Sequence, residues 1–493
     1  MSTPNLNLAT PDQETPDIAI NAEGTPRKPE RIQPLDVLRA IALLGGLLVS
    51  IWIFGGLGNN RQLQILEHPN SDNYRLFSLV KLLIEGKMIA LISLVFGAGV
   101  VLYLSRPNQQ NKLSVPDLFI RRQMWLLGFG LLNALLFLWS GDILYHLAIV
   151  GILLFPFVRL SSKGLLIAAM ITTVIFCGKN YWKYSDDKKA YNKYTAVIAF
   201  EKKLSRDSSA RARAITAIKG DNKAIAQVKK DSLSKKQKAD KQAWEGLLKN
   251  TKYDPKKDEG ENKEMQTTSF ADLWSHVLPA TQNRESQWMF QTGVWEVASM
   301  MLFGMALLKF GFFENKLSRK QYLLIALAGF AVGILLGWFR LHYYSVSIAD
   351  YTKYVVKNLF PYNILFPLEK LLMTVGYAAL VMFLAVITRL SSFLKAVASV
   401  GRLALTNYLL QSIICSVFFT GYGMGYYGKL EQHELYFLAG EIWIVQIVFS
   451  IFWLQRFELG PAEWLWRCMT YGKWLPIRKN TSTNTEVIIP ALT

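Results

Sequence analysis

Three ionisable side chains interrupt an apolar stretch that is long enough to cross a lipid bilayer. Residues 76–104 read LFSLVKLLIEGKMIALISLVFGAGVVLYL and contain Lys81, Glu85 and Lys87. An ionised side chain at the centre of a bilayer costs about 3 kcal/mol on insertion scales, so it normally faces protein or a water-filled cavity. Lys81 and Glu85 are four residues apart and can pair on one helical face, whereas Lys87 needs a partner from another helix. The pattern fits either satisfied charges near the membrane boundary or a polar cavity that several helices share.

Two histidines near the same predicted membrane boundary are candidates for acid–base chemistry. His68 lies in the loop before 76–104, while Asp142 and His146 are four residues apart in WSGDILYH. A carboxylate that holds an imidazole in one tautomer is the usual support of a general base. Glu85, about 14 Å below the boundary at the helical rise, belongs to the same candidate catalytic group. A purely structural role is the alternative for each histidine.

A second polar layer lies at the opposite ends of the apolar segments. Asp36 and Arg39 are three residues apart, and the simplest interpretation is an intrahelical pair. Arg402 opens GRLALTNYLLQS, in which Asn407 and Gln411 share a face and can bond across helices. Guanidinium groups in this layer would also suit the phosphates of a ligand. The candidate ligand-binding residues are Arg39, Arg121, Arg122, Arg402 and Asn407.

The elements that position these residues are membrane helices. The chain has 493 residues, of which 51% are hydrophobic, and a mean hydropathy of +0.20. Its apolar residues occur in blocks of membrane-spanning length, which predicts an all-α, polytopic integral membrane protein. Ten spans are predicted, near residues 34–56, 76–104, 123–140, 142–160, 164–178, 289–310, 321–340, 361–388, 402–421 and 436–456. Lys and Arg gather at every second boundary, so we expect cytoplasmic termini in a bacterial plasma (inner) membrane.

A hydrophilic insert separates the two membrane halves. Its part 179–264 has 23 basic and 13 acidic residues and carries about half of the net charge of +19. This distribution does not indicate a nucleic-acid partner. Apolar residues three and four apart within 191–204 and 235–248 predict amphipathic helices. The insert is interpreted as a solvated helical hairpin, a lid over the outer mouth, or a dock for anionic glycan or lipid headgroups.

The sequence accordingly divides into five predicted regions. They are a disordered cytoplasmic tail (1–33), a first membrane half (34–178), an extracytoplasmic Lys-rich insert (179–287), a second membrane half (288–456) and an interfacial helix with a cytoplasmic tail (457–493).

Common catalytic and metal-binding motifs are absent from the sequence. It contains no GxSxG, no Walker loop, no HExxH and no dinucleotide-binding glycine fingerprint. The three cysteines fall on separate segments, so neither a disulfide framework nor a metal site is predicted.

Six separated segments resemble the DUF418 (YeiB-like) family of membrane proteins in order and spacing. They are LDVLRAIALLGGLLVSI, EGKMIALISLVFGAG, WSGDILYHLAIVG, WEVASMMLFGMALLKFGFF, VGRLALTNYLLQSIICSVFF and GPAEWLWRCMTYG. That family is similar, more distantly, to transmembrane acyltransferases that include heparan-glucosaminide acetyltransferase and the acyltransferase-3 proteins. Asp36, Arg39 and His68 match their motif positions, but Ser50 stands where Asn is expected and Ala40 where Gly is usual.

The resemblance implies transfer of an acyl group, usually acetyl, from cytoplasmic acyl-CoA to an extracytoplasmic small molecule or glycan. Arg39 and Arg402 would hold the CoA phosphates, and His68 or His146 would act as base or as acyl carrier. Lys81 and Lys87 would stabilise the oxyanion. The alternatives are an exporter of a small polar or anionic solute, and a receptor or scaffold that displays the insert. A homodimer is left open.

Overall fold

The computed structural model describes residues 32–105, 114–219, 233–385, 387 and 391–479, and these ranges are almost entirely helical. Residues 1–31 and 480–493, which hold most of the two predicted tails, lie outside the described residues. The first helices are α1 (Gln33–Phe54), α2 (Asn59–Glu67), α3 (Asp72–Leu83), α4 (Lys87–Leu104), α5 (Val115–Leu135) and α6 (Leu144–Leu154). The central helices are α7 (Ser162–Lys219), α8 (Lys235–Lys249), α9 (Pro255–Met265), α10 (Phe270–Asn283), the π-helix Arg284–Gly293 and α11 (Val294–Lys309). The last are α12 (Arg319–Ala349), α13 (Tyr351–Lys357), α14 (Phe366–Ala385), α15 (Ser391–Arg402), α16 (Ala404–Phe419), α17 (Gln432–Arg456) and α18 (Pro461–Tyr471).

Several of these helices have the length and apolarity of membrane spans, which makes the protein a polytopic helical membrane protein. Within the described ranges seven segments qualify: Gln33–Phe54, Asp72–Leu104, Ser162–Asp207, Phe270–Lys309, Arg319–Ala349, Phe366–Ala385 and Gln432–Arg456. An eighth crossing results if Ser392–Arg402 and Ala404–Phe419, which meet at 74°, form one broken span. The predicted number of ten spans is therefore not confirmed.

The predicted span over 76–104 lies within the qualifying segment Asp72–Leu104, but its helix is interrupted. α3 ends at Leu83 and α4 begins at Lys87. Between them Gly86 has a φ of 74°, in the left-handed region that glycine enters without a steric penalty. A Cβ added at Gly86 would lie 2.9 Å from Phe366 and Lys370, so the break also lets α14 approach closely.

A glycine stripe brings α12 and α14 together. Gly329, Gly333 and Gly337 repeat at intervals of four residues on the buried face of α12. A Cβ added at Gly329 would lie 2.7 Å from the Leu372 carbonyl oxygen of α14. Small residues at this spacing allow membrane helices to pack backbone to backbone. Arg340 continues the same face and therefore points toward α14.

The crossing of α4 with α11 depends on a second pair of glycines, and this gives a stability prediction. A Cβ at Gly304 would overlap the Leu94 carbonyl oxygen, and one at Gly97 would overlap that of Met301. We expect Gly304→Ala to lower the free energy of unfolding by about 1–3 kcal/mol because backbone atoms cannot yield as a flexible side chain can. Gly46→Ala is the matched control, since no atom lies within 4 Å of its added Cβ. Equal unfolding midpoints for the two variants in mixed detergent micelles would contradict this packing.

The Lys-rich insert contains a helical hairpin, as its apolar spacing predicts. α7 continues without interruption from the apolar segment to Lys219, so the predicted boundary at residue 178 falls inside one helix. α8 packs antiparallel against it through the Lys241–Glu201 ion pair of 2.9 Å. Trp244 is fully buried there, with its ring 5.0 Å from that of Tyr191. The extracytoplasmic location of the insert stays a prediction.

The second part of the insert packs on the loops at one end of the bundle. The Asn60 amide of α2 donates to the Asp254 carbonyl oxygen at 2.9 Å, and Arg61 pairs with Asp258 at 3.2 Å. The Tyr427 hydroxyl donates to Glu261 of α9 at 2.8 Å. These three contacts join α9 and its N-cap to α2 and to the loop after α16, as expected of either a structural hairpin or a lid.

Candidate functional site

Seven ionisable side chains from five helices and one helix break meet inside the helical bundle, and we call them the charge network. Its members are Lys81, Glu85, Lys87, Glu296, Arg340, Glu369 and Lys370.

Glu369 lies at the centre of the charge network. Its carboxylate, 1% exposed, accepts from Lys87 Nζ at 2.5 Å and from Arg340 Nε at 2.7 Å. The Glu85 carboxylate accepts from Lys81 Nζ at 2.7 Å and lies 3.6 Å from Arg340 Nη1. The predicted Lys81–Glu85 pair is thus confirmed, and the partner that Lys87 requires is Glu369 of α14.

Two cations of the network and one tyrosine donate hydrogen bonds to backbone carbonyl oxygens near the break between α3 and α4. The Lys81 carbonyl oxygen accepts from Lys87 Nζ at 3.0 Å and from Arg340 Nη2 at 3.1 Å. The Leu83 carbonyl oxygen accepts from the Tyr377 hydroxyl at 3.0 Å. Backbone groups at membrane depth must find partners inside the protein. The charges and the broken helix therefore stabilise one another.

A second ion pair adjoins this centre. Lys370 Nζ donates to Glu296 of α11 at 2.5 Å. The Phe366 ring lies between the two parts, with its centroid 4.3 Å from Arg340 Cζ, 4.5 Å from Lys370 Nζ and 5.5 Å from Lys87 Nζ. Aromatic faces attract cations most strongly where water is excluded. The network contains four cations and three carboxylates, so it carries one excess positive charge when all are ionised.

Two cavities reach the charge network from different sides. One of about 320 Å³ between α12, α13 and α14 is bounded by Arg340 and Glu369. The other, of about 270 Å³, is bounded by Glu85 together with Trp52 and Gln62. Glu85 and Glu369 both contact Arg340, so each cavity is bounded by a carboxylate that faces the same guanidinium group.

Four members of the charge network were not among the residues predicted from sequence. Arg340, Glu369, Lys370 and Glu296 all interrupt or border apolar helices, just as Lys87 does. Lys87 was selected as an ionisable residue within an apolar stretch, and the same criterion would have selected these four. Which of these residues pair cannot be read from the sequence, because Lys87 and Glu369 are far apart along the chain.

A second polar group, which we call the His146 cluster, lies where α5, α6, α16 and the π-helix meet. Its members are Asn133, Asp142, His146, Arg284, Glu285, Trp288 and Tyr408.

The Asp142 carboxylate does not bond the His146 ring, contrary to the prediction from their spacing. The fully buried Asp142 carboxylate accepts from the Asn133 amide at 2.9 Å, the Tyr145 backbone N–H at 2.9 Å and the Tyr408 hydroxyl at 3.2 Å. α6 begins at Leu144, so Asp142 precedes the helix and the four-residue rule for helical neighbours does not apply. Its carboxylate bonds the first turn of α6 instead.

His146 is fully buried; its ring nitrogens face the Asp142 and Arg284 backbone, and neither makes a hydrogen bond of ordinary geometry within the described residues. Its ring packs edge-to-face on Trp288 at 5.3 Å, and the Arg284 guanidinium lies 3.9 Å from the Trp288 ring on the π-helix. Both Glu285 carboxylate oxygens are likewise buried without a partner in the described ranges. Buried polar atoms usually have hydrogen-bond partners. The cluster is therefore suited to hold water or a polar ligand. Arg284 also interacts electrostatically with Glu296 of the charge network.

The π-helix Arg284–Gly293 explains how these side chains come together. π-helical turns are rare and often occur at functional sites because they re-aim side chains. Gly293 ends the turn, and a Cβ there would lie 2.7 Å from Trp288 and 3.1 Å from His146. No residue of this segment was predicted as functional from sequence, since a π-helix has no recognised composition signal.

His68 and Ser50 lie apart from both groups. His68 ends α2 as an exposed residue, and neither cavity includes it. The Ser50 hydroxyl donates to the Gly46 carbonyl oxygen of its own helix at 3.2 Å. Of the positions taken from the acyltransferase resemblance, these two are thus not brought together with Glu85 or His146.

The predicted cytoplasmic layer is dominated by helix packing. Arg39 Nη1 pairs with Asp36 at 2.6 Å on α1, which confirms the predicted intrahelical pair. Gly401, next to Arg402, packs against the backbone of Asp36 and Ala40, so both arginines lie at the crossing of α1 and α15.

The other residues predicted for this layer contact α17 and α18. Arg122 stacks on Trp466 at 3.6 Å, and Arg121 lies beside the backbone at Gly472. Asn407 donates to the Ser450 hydroxyl at 2.9 Å, which confirms the predicted bond across helices. Neither described cavity includes any of these side chains.

Comparison with known proteins identifies the family. The chain is 30% identical over 460 residues to the uncharacterized protein YxaH of Bacillus subtilis (strain 168), covering 92% of this chain and 97% of that protein. The sequence pattern described as a protein of unknown function (DUF418) matches residues 307–473. The chain belongs to the DUF418 family. A second DUF418 relative, the uncharacterized protein YeiB of Escherichia coli (strain K12), is 26% identical over 467 residues, 92% of this chain and 100% of that protein.

A shorter match is to an uncharacterized 39.9 kDa protein in the amylase 3' region of Bacillus acidopullulyticus. It is 34% identical over 102 residues, 21% of this chain and 28% of that protein. No solved structure matches the chain. The DUF418 pattern covers Arg340, Glu369 and Lys370 but not His146, so only one part of the candidate site lies inside it.

Proposed function

We propose that this DUF418 protein is an acyl-CoA-dependent transmembrane acyltransferase that acts at the His146 cluster. The observation that carries the proposal is the fully buried His146 imidazole, which packs on Trp288 beside the Arg284 guanidinium and makes no hydrogen bond to a side chain in the described residues. A neutral imidazole near a guanidinium group is the arrangement that removes a proton and stabilises an oxyanion. The distant likeness to transmembrane acyltransferases supports the same reaction.

In the proposed reaction His146 takes the proton from an acceptor hydroxyl or amine as that atom attacks the acyl carbonyl carbon. A new C–O or C–N bond forms, the C–S bond of the thioester breaks, and His146 returns the proton to the departing thiolate. Arg284, rather than Lys81 or Lys87, would stabilise the oxyanion, because the two lysines are held by carboxylates of the charge network. In the alternative two-step route, His146 first attacks the thioester and becomes a transient acyl-imidazole as the C–S bond breaks. The acceptor then takes the acyl group from His146.

The donor substrate would be held from the cytoplasmic side. Arg39 and Arg402 lie at one helix crossing, and guanidinium groups suit the paired oxygens of a diphosphate. Arg121 and Arg122 add positive charge near α18. The same proposal places both termini in the cytoplasm of a bacterium, with the protein in the inner membrane. The acceptor would be a glycan or another molecule on the extracytoplasmic side.

The proposal predicts thiol release from acyl-CoA by the purified protein. We expect acetyl-CoA to be consumed, with free CoA detected by a thiol reagent, and the rate to rise when an extract of bacterial envelope glycans is added. Protein-free micelles and an unrelated polytopic membrane protein serve as controls. Release no faster than in these controls, over a range of acyl chain lengths, would contradict the proposal.

Export of a small anionic solute is the second candidate, and the broken helix favours it. Discontinuous membrane helices beside buried charges form the substrate sites of many transporters. In proteoliposomes, solute counterflow without acyl-CoA consumption would assign this function instead.

A further inference from the structure

α7 carries the first hairpin of the insert far beyond the end of its apolar segment. The apolar run ends at Cys177, and the same helix continues to Lys219. At a rise of 1.5 Å per residue, Lys202 lies about 37 Å along the helix from Cys177. An unbroken helix keeps the direction of its membrane-spanning part, and membrane helices tilt by only about 20° on average. The hairpin of α7 and α8 therefore projects away from the bilayer.

The base of this hairpin is fixed to the membrane part of the protein. Trp244 of α8 is fully buried, with its ring 5.8 Å from that of Tyr351 in α13. The Tyr351 hydroxyl donates to Asp187 of α7 at 2.6 Å. Lys188 of α7 donates to the Asn358 carbonyl oxygen, also at 2.6 Å. Both helices of the hairpin are thus joined to the region of α13, which supports the direction that α7 gives them.

Six exposed cations lie on the distal part of the hairpin, and we call them the basic patch. α7 and α8 are antiparallel and pair through Glu201 and Lys241, so residues after Glu201 lie level with residues before Lys241. Asp207 is the one acidic residue within 202–207 and 233–239, so six cations face a single carboxylate there. Within the described residues, no member of the basic patch forms an ion pair. Its members are Lys202, Lys203, Arg206, Lys235, Lys236 and Lys238.

The first turn of α8 adds to the positive potential of the basic patch. Lys235, Lys236 and Lys238 occupy this turn, where the backbone N–H groups already present a partial positive charge. Cations are unfavourable at a helix N-terminus, whereas an anion there interacts favourably with the lysines and with the helix. The basic patch is therefore arranged to attract an anionic partner.

The distance from the bilayer and the residue types present restrict what that partner is. The Debye length is about 8 Å at physiological ionic strength, so lipid headgroups of the same membrane are too far away to attract the basic patch. Cations on two neighbouring helices match a polymer with repeated negative charges better than one small anion. Residues 201–213 and 233–243 contain no aromatic side chain on which the bases of a single-stranded nucleic acid could stack.

We propose that the basic patch binds an anionic polysaccharide of the cell envelope. The polymer would cross both helices of the hairpin, with its negative groups against the lysines of α7 and of the first turn of α8. The predicted extracytoplasmic side of the insert is the side on which such polymers occur. This proposal does not depend on acyl transfer, because its evidence comes from the hairpin alone.

The test measures binding of fluorescein-labelled dextran sulfate to the purified full-length protein in micelles of an uncharged detergent. Labelled dextran of the same length, which has no charge, is the control probe. We expect dextran sulfate alone to bind, and its affinity to fall as salt is added, because salt screens exposed charges. Removing three lysines together should weaken binding about 10-fold, since each exposed charge pair contributes little by itself. The variant combines Lys235→Gln, Lys236→Gln and Lys238→Gln.

Two further variants separate the basic patch from the net charge of the protein. One neutralises the α7 half of the patch and should weaken binding as the α8 variant does; it combines Lys202→Gln, Lys203→Gln and Arg206→Gln. The other removes the same charge from α9, outside the patch, and should bind as the wild type does; it combines Lys256→Gln, Lys257→Gln and Lys263→Gln. All nine substituted side chains are exposed, so we expect every variant to fold.

Three results would overturn the proposal. The first is equal binding of dextran sulfate and uncharged dextran by the wild type. The second is equal weakening by the α8 and α9 variants, which would reduce the effect to net charge. The third is tighter binding of transfer RNA than of dextran sulfate at equal charge, because a nucleic acid would then be the partner.

Discussion

Glu369→Gln is expected to destabilise the protein by about 3–5 kcal/mol, because it leaves two buried cations without their shared carboxylate. Lys87 is fully buried and Arg340 is 7% exposed, so neither gains water when the negative charge is removed. The change should appear as a lower unfolding midpoint in mixed micelles and as a smaller folded fraction after purification. Activity is not needed for this measurement.

Two further variants make this prediction specific. Glu314→Gln removes a carboxylate from an exposed pair with Lys316 and should change the free energy of unfolding by no more than about 0.5 kcal/mol. Lys87→Met should cost less than Glu369→Gln, because Arg340 keeps Glu369 as a partner. If Glu369→Gln is as stable as Glu314→Gln, the buried charge network does not exist as described.

His146→Gln is expected to lower the proposed acyl-transfer rate about 10²–10⁴-fold while leaving the unfolding midpoint unchanged. The loss follows from removing the proton acceptor. The stability should persist because glutamine fills a similar volume and its amide can still donate to the Asp142 and Arg284 backbone that faces the ring. The rate is measured as labelled acetyl transferred per protein at saturating acetyl-CoA.

The other histidines serve as matched controls for this variant. His342→Gln changes an exposed imidazole on α12 and should leave the rate unchanged. His68→Gln separates the two bases that the sequence leaves open: a full rate there, with loss in His146→Gln, assigns the chemistry to the buried residue. Full activity in both His68→Gln and His146→Gln would remove the histidine mechanism.

Side-chain pairs between residues close together in the sequence were predicted correctly, whereas pairs between distant residues were not. The Lys81–Glu85 and Asp36–Arg39 pairs are confirmed because helical spacing alone brings such residues together. An unpaired charge in a membrane is costly, so we predicted that Lys87 has a partner on another helix. That this partner is Glu369 could not be predicted, because it depends on how α14 packs against the break at Gly86.

Errors in the sequence analysis arose where the backbone leaves regular α-helix. The stretch 76–104 lies within one qualifying segment, as predicted, but the helix break at Gly86, in a left-handed conformation, was missed. Asp142 was assigned to His146 by helical spacing, although α6 starts only after it. The π-helix that carries Arg284 has the composition of an ordinary polar segment. Half of the candidate site therefore depends on backbone irregularities that periodicity does not detect.

The most direct test of the account is acetyl transfer across the membrane of proteoliposomes. Labelled acetyl-CoA is supplied on one side and a glycan acceptor is enclosed on the other, with wild-type protein and His146→Gln compared at equal density. Acyl transfer at the His146 cluster predicts labelled acceptor inside the wild-type vesicles and about 10²–10⁴-fold less with His146→Gln. Equal labelling by the two proteins, or none above empty vesicles in either, would contradict acyl transfer at the His146 cluster.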